Sequence, residues 1–149
     1  MFEKIKRFLQ GEPPPVADKV VDPVLGTLSW SKEDEAWLSS PEHDCVGFTF
    51  QIAGTPQPDE SLVRHAADIS GTKEEFIRSV QRFLSNEAVS VRHLSAFKEE
   101  IAGLKIERVC LFWPERPDDG MIFFRGGRDF RGWRCDYVGR APKGLGFDS

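Results

Sequence analysis

The spacing of hydrophobic residues changes twice along the chain, dividing it into strands, helices and strands again. In CVGFTFQI, Val46, Phe48, Phe50 and Ile52 alternate with small or polar residues, a pattern that predicts a β-strand. VLGTLSW and EAWLS, earlier in the chain, predict two strands of a hairpin. After residue 104, KIERVCLFW, GMIFFRG and GWRCDYVG predict further strands separated by turn-forming residues.

Between the two groups of strands, the hydrophobic spacing becomes that of a helix. Leu62, Ala66 and Ile69 predict a first helix, and Asp59 is well placed to cap its N-terminus. The segment 72–75, TKEE, matches a capping box, which predicts that a second helix begins there.

A third helix is predicted from about residue 90 or 95 to Gly103, with Leu94, Phe97 and Ile101 facing inward. Strands followed by helices and then by strands indicate an α+β fold. We expect a largely antiparallel sheet of about five to six strands with about two to three helices packed on one face, in the order β-β-β-α-α-α-β-β-β.

The N-terminal region, residues 1–21, differs in character from the rest. Phe2, Ile5 and Leu9 have the spacing of a short basic amphipathic helix, and a run of prolines at 13–15 begins a linker. Such a short helix packs on the domain, frays or touches a membrane surface. Residues 22–149 are predicted to form a single α+β domain.

Two predicted strands are hydrophobic at every position: VCLFW at 109–113 and MIFF at 121–124. A strand of this kind is normally buried on both faces of its sheet. The helices can cover only one face, so the other needs a cover from the N-terminal segment, the long loops, a second copy of the chain or another protein. Phe112 and Phe124 are the predicted centre of this surface.

Composition narrows the function classes. The formal net charge is −4 and the isoelectric point is near 5.4, which argues against a general nucleic-acid binder. No run approaches the roughly 18 apolar residues that span a bilayer, and the N-terminus lacks the features of a signal peptide. Cys45, Cys110 and Cys135 are unevenly spaced and predict reduced thiols in a cytoplasmic protein.

The segment MIFFRGGRDFRGWRCDYVGR concentrates arginines around a pair of glycines. It predicts a β-hairpin with a loop from about residue 126 to 132, with Arg125 and Arg134 at the strand ends and Arg128 and Arg131 at the tip. Solvated charges that pair with nearby aspartates are one interpretation. An anion or acidic-partner site is a second, and RNA binding a third.

No catalytic or metal-binding pattern emerges from the sequence. His43 and Cys45 are close together, but no second cysteine or histidine completes a zinc site, and nothing in sequence orients a base. His65 and His93 have no companions at ligand spacing, and FRGGRDFRG lacks the Gly-Lys-Ser/Thr of a phosphate loop. The sequence therefore predicts no enzyme, cofactor or metal.

Three segments carry a resemblance to a known group: DPVLGTLSW, FKEEIAGLKIERV and GWRCDYVGRAPKGLGFDS. Together they resemble small bacterial domains of unknown function that are similar to immunity-type proteins of polymorphic toxin systems. The resemblance implies an α+β domain that binds another protein, and it supplies no active-site residues.

These observations predict a cytoplasmic, non-enzymatic protein-binding module of immunity-protein type. Its partner would be a toxin-like protein or a second copy of the chain. The alternatives are an anion- or RNA-binding protein that uses the arginine hairpin, and an enzyme of unrecognised type. The candidate partner-binding residues are Phe112, Phe124, Arg125, Arg128, Arg131, Trp133 and Arg134.

Overall fold

The computed structural model describes residues 18–40, 47–128 and 130–148, which form one eight-stranded sheet with helices packed against it. The strands are β1 (Lys19–Asp22), β2 (Gly26–Ser31), β3 (Ala36–Ser39), β4 (Thr49–Ile52), β5 (Lys105–Leu111), β6 (Gly120–Arg125), β7 (Gly132–Val138) and β8 (Ala141–Asp148). The helices are α1 (Glu60–Gly71), α2 (Lys73–Ser90), a 3₁₀ helix (Arg92–Phe97) and α3 (Lys98–Ala102).

Strand order in the sheet follows strand order in the chain. Neighbouring strands are antiparallel except β4 and β5, which are parallel. All the described helices lie in the connection between these two strands, because a parallel pair needs a long crossover and an antiparallel pair needs only a turn.

One face of the sheet forms the core with the helices. Phe50 lies opposite Val109, Val109 opposite Ile122, and Ile122 opposite Cys135, so these side chains point to the same side. All four are buried, in one cluster with apolar residues of α1, α2 and α3. The hydrophobic side chains at alternate positions of these strands therefore pack against the helices.

The predicted cap of the first helix is confirmed. The Asp59 carboxylate accepts hydrogen bonds from the backbone N–H groups of Ser61 at 3.0 Å and Leu62 at 3.1 Å. The predicted capping box at 72–75 is wrong, because the Thr72 side chain makes no cap bond to α2. Its hydroxyl donates instead to the Asp68 carbonyl at 3.0 Å, closing the end of α1. Thr72 is the only residue between the two helices, and its side chain hydrogen-bonds to the end of α1 rather than to the start of α2.

The third predicted helix is two short elements in sequence, the 3₁₀ helix and α3. Leu94 and Ile101 are buried as expected, and Phe97 packs against the core from its edge. Among the helices of the described ranges, none has the length and apolar character needed to cross a membrane.

The α+β class and the largely antiparallel sheet are confirmed, but the sheet has eight strands rather than five to six. The two additional strands are β1, which begins ahead of the predicted domain start at residue 22, and β8, in the sequence APKGLGFD. Both lie at the edges of the sheet, where one side of a strand is free of pairing. An edge position tolerates the proline and glycines that make β8 a weak strand by sequence.

Candidate functional site

The side of the sheet that faces away from the helices, here called the open face, is the candidate site. Side chains on it include Leu38, Gln51, Met121 and Phe123, all half-buried, because their strand neighbours point into the core. No helix of the described ranges packs there. The expectation that VCLFW and MIFF are buried on both faces is therefore only partly met.

The predicted centre of this surface needs one correction. Phe124 is buried, since it pairs with Ile106 and belongs to the core under the helices. Its neighbour Phe123 takes the opposite side of the strand, pairing with Arg108 and Arg134. Phe112 is half-buried and lies beside Phe123, as predicted for a residue of this surface. Where every residue of a segment is hydrophobic, no alternation of polar and apolar residues marks which positions face the core. The sequence therefore could not show which of the two phenylalanines faces outward.

Phe112 and Phe123 line a cleft of about 360 Å³ in the open face. A break in the pairing of β5 with β6 helps to shape it: Ile106 pairs with Phe124 and Arg108 with Phe123, so Glu107 is left as the extra residue of a bulge. Glu107 is among the residues that line the cleft. The remaining lining residues are Asp34, Gln51, Arg108 and Cys110.

A polar network fixes one wall of the cleft. Arg108 donates from Nη1 to Gln51 Oε1 at 2.7 Å, and the same nitrogen lies 3.5 Å from Asp34 Oδ1. Asp34 sits in the β2–β3 turn, where Ser31 Oγ donates to its other carboxylate oxygen at 2.8 Å. Glu107 makes no ion pair within the described residues. The cleft therefore holds two carboxylates against one guanidinium.

The thiol in the cleft is unsuited to nucleophilic chemistry. Cys110 is buried at 1% exposure, and burial raises the pKa of its thiol to about 12. Cys135 is also buried, with its pKa raised to about 12 for the same reason. Cys110 and Cys135 are both free thiols, while His43 and Cys45 lie outside the described residues.

The arginine hairpin has the predicted form, with a loop between Arg125 and Gly132, but its tip is not a free cationic site. Arg131 donates from Nε to Glu100 Oε2 at 2.9 Å, and Trp133 Nε1 donates to the same oxygen. The Arg131 guanidinium also stacks 4.8 Å from the Phe97 ring centroid. Hydrogen bonding from Arg131, with help from Trp133, lowers the pKa of Glu100 to about 2.

The other hairpin candidates divide into buried, paired and exposed residues. Trp133 is buried at 1% exposure, so its side chain is not at the surface. Arg134 forms an ion pair with Asp148 at 3.0 Å, although Asp136 is closer to it in sequence. Arg125 and Arg128 are exposed, and Arg128 lies 4.0 Å from Glu100.

A buried polar cluster that sequence reasoning did not anticipate lies at the other end of the helical layer. His65 is 2% exposed, and its Nε2 lies 3.0 Å from the Tyr137 hydroxyl. Its Nδ1 is 3.6 Å from Asp118, which Arg140 binds at 2.7 Å. The members come from α1, β7 and two loops, so no local motif could have revealed them. Burial raises the pKa of Tyr137 to about 12.

Within the described ranges, no three histidine, cysteine or acidic side chains are grouped as metal ligands would be. Comparisons with protein-family models, with curated proteins and with solved structures found no match to this chain.

Proposed function

We propose that this protein is a non-enzymatic binding module whose open face docks a basic protein partner. The observation that supports this most directly is the composition of the open face, where Met121, Phe112 and Phe123 remain half-buried with no helix of the described chain over them. Apolar area at the centre of a surface with charged groups around it is the usual anatomy of a protein interface.

The charges of the face select the kind of partner. Asp34 and Glu107 outweigh Arg108 in the cleft, and the whole chain has a net charge of −4. An arginine or lysine of the partner entering the cleft would meet these carboxylates and the two phenylalanine rings, the surroundings in which buried arginines act as anchors. A partner with a basic surface is also attracted over longer range by the acidic total.

This role agrees with the resemblance to immunity-type proteins that DPVLGTLSW, FKEEIAGLKIERV and GWRCDYVGRAPKGLGFDS carry. An immunity protein neutralises a toxin by binding it, without catalysing a reaction, and many nuclease-like toxins are basic. We therefore place the cytoplasmic immunity-like role first. The competing role, RNA or anion binding by the hairpin, is weakened by the commitment of Arg131 to Glu100 and of Arg134 to Asp148.

Co-expression with the products of neighbouring genes, followed by co-purification and a measured Kd, tests the proposal. Phe123→Ser should weaken the complex at least about tenfold, because it removes an apolar wall of the cleft. Phe130→Ser is the matched control, since Phe130 is 63% exposed but lies in the hairpin loop. Its affinity should equal that of the unaltered protein.

A second pair of measurements tests the charge argument. Asp34→Asn with Glu107→Gln should weaken the complex, and added salt should weaken the unaltered complex more than the doubly substituted one. A chain beginning at Asp18 should keep the partner's affinity, which separates an external partner from residues 1–17 as the cover of the face. Binding that survives Phe123→Ser but is lost on Arg125→Ala with Arg128→Ala would instead assign the partner to the hairpin.

A further inference from the structure

A second cavity lies on the helix side of the sheet, where β5 begins and β6 ends. Its volume is about 210 Å³. A cavity of about 150 Å³ with apolar walls binds benzene in water, so this one has room for an aromatic ring or a short alkyl chain. The apolar residues lining it are Phe48, Ile77, Val80, Leu84, Leu104 and Ile106.

The other residues that line the cavity are Gly47, Gln81, Lys105 and Arg125, and the last three are exposed polar residues. Lys105 and Arg125 lie directly opposite each other on β5 and β6. Like charges in this position repel and destabilise a sheet. Within the described part of the chain, neither cation forms an ion pair with a carboxylate.

We propose that this cavity binds a small organic acid with its apolar chain or ring inside and its carboxylate between Lys105 and Arg125. An apolar pocket with a few convergent polar groups is the usual form of a small-molecule site. A carboxylate removes the repulsion between the two cations and gains charge-assisted hydrogen bonds from both. A neutral or cationic ligand of the same shape gains neither.

This site is independent of the proposed partner-binding role. Its walls come from α2 and from core-facing residues such as Phe48 and Ile106, whereas the partner-binding cleft lies on the opposite side of the sheet. Ligand binding here and partner binding there can therefore succeed or fail separately.

Titration of the full chain with sodium octanoate, followed by two-dimensional ¹H–¹⁵N NMR, tests the proposal. We expect saturable binding of one octanoate per chain, with the largest shifts at amides of Val80, Leu84, Lys105 and Arg125. Sodium acetate should produce no saturable shifts, because it leaves the apolar walls empty. The uncharged 1-octanol should bind at least about tenfold more weakly than octanoate, because it has no carboxylate to pair with the cations.

The substitutions Lys105→Gln and Arg125→Gln together should weaken octanoate binding at least about tenfold. Both side chains are exposed, so the fold should be retained, and the NMR spectrum of the variant shows whether it is. The matched control is Arg78→Gln with Arg82→Gln, which removes two exposed cations of α2 that do not line the cavity. Equal affinity in the two double variants would overturn the proposal, as would shifts that map to the open face or never saturate.

Discussion

His65 is the residue whose charge state the fold controls most directly. Burial is the main reason that its pKa lies below the ordinary value of 6.5, and Arg140 lowers it further, while Asp118 and Asp68 oppose the shift. The Tyr137 hydroxyl lies within hydrogen-bonding distance of Nε2 of the His65 ring. The folded state therefore favours the neutral imidazole, held between α1, β7 and the β5–β6 loop.

This arrangement predicts a pH-dependent stability. The unfolded chain takes up a proton near pH 6.5 while folded His65 resists it, so the free energy of unfolding should be highest above 6.5 and fall as the pH drops towards the folded pKa. His65→Gln should flatten this slope in urea denaturation measured from pH 7.5 to 5, whereas His93→Gln, at an exposed position, should leave it unchanged. An identical slope in the His65 variant would assign the pH dependence to other groups.

Residue pairing was the part of the molecule least accessible to sequence reasoning. The arginines of the hairpin were expected to pair locally, but Arg131 uses Glu100, on a short helix 31 residues earlier in the chain. The same glutamate accepts a hydrogen bond from Nε1 of Trp133, whose indole is buried. Such pairings depend on which helix end meets which strand, and only the packed fold fixes that.

At the scale of elements, periodic segments were predictable and edges were not. The alternation of Phe48, Phe50 and Ile52 and the helical spacing of Leu62, Ala66 and Ile69 report which side of each element is buried, so the strand and helix predictions hold. The strand β8 contains Pro142 and two glycines, and its single buried side chain is Leu145. Its sequence therefore lacks the alternation of hydrophobic and polar residues that predicts a strand. Pairing with β7 supplies the order that local preference lacks.

The start of the helical layer gives a direct comparison of two predicted caps. Asp59→Ala should lower the free energy of unfolding by about 1 kcal/mol, because two N–H groups of α1 lose their acceptor. Thr72→Ala should cost less, since the Thr72 hydroxyl caps nothing in α2 and bonds only an exposed carbonyl of α1. Equilibrium denaturation of both variants measures the difference. Equal losses would mean that Thr72 acts as the N-cap of α2 in solution.

At the scale of the whole molecule, the two faces of the sheet differ: one forms the buried core and the other is the open face. The face under the helices contains the buried core, with Trp37, Trp133 and Tyr137 among its largest side chains. The open face carries half-buried apolar residues beside charged ones and contributes less burial. Residues 121–124 of β6 are all hydrophobic, and this hides the division, because the residues of both faces are alike there.

Two adjacent phenylalanines of β6 test the division with the same chemical change. Phe124→Ala removes a ring that is 6% exposed, and it should lower the free energy of unfolding by about 3 to 5 kcal/mol through the cavity it leaves. Phe123→Ala removes a half-buried ring from the open face, so its loss should be clearly smaller, because water already reaches that ring. Denaturation curves measure the first effect, and the Kd of the partner complex measures the second.

The variant that loses more stability should lose less affinity for the partner. Phe123→Ala should weaken partner binding strongly, whereas Phe124→Ala should leave the affinity of the folded fraction nearly unchanged, because its side chain faces the helices. If both variants lost the same stability, the open face would be covered in solution by residues 1–17 or by a second copy of the chain. Molecular mass in solution and the chain that begins at Asp18 then distinguish those two covers.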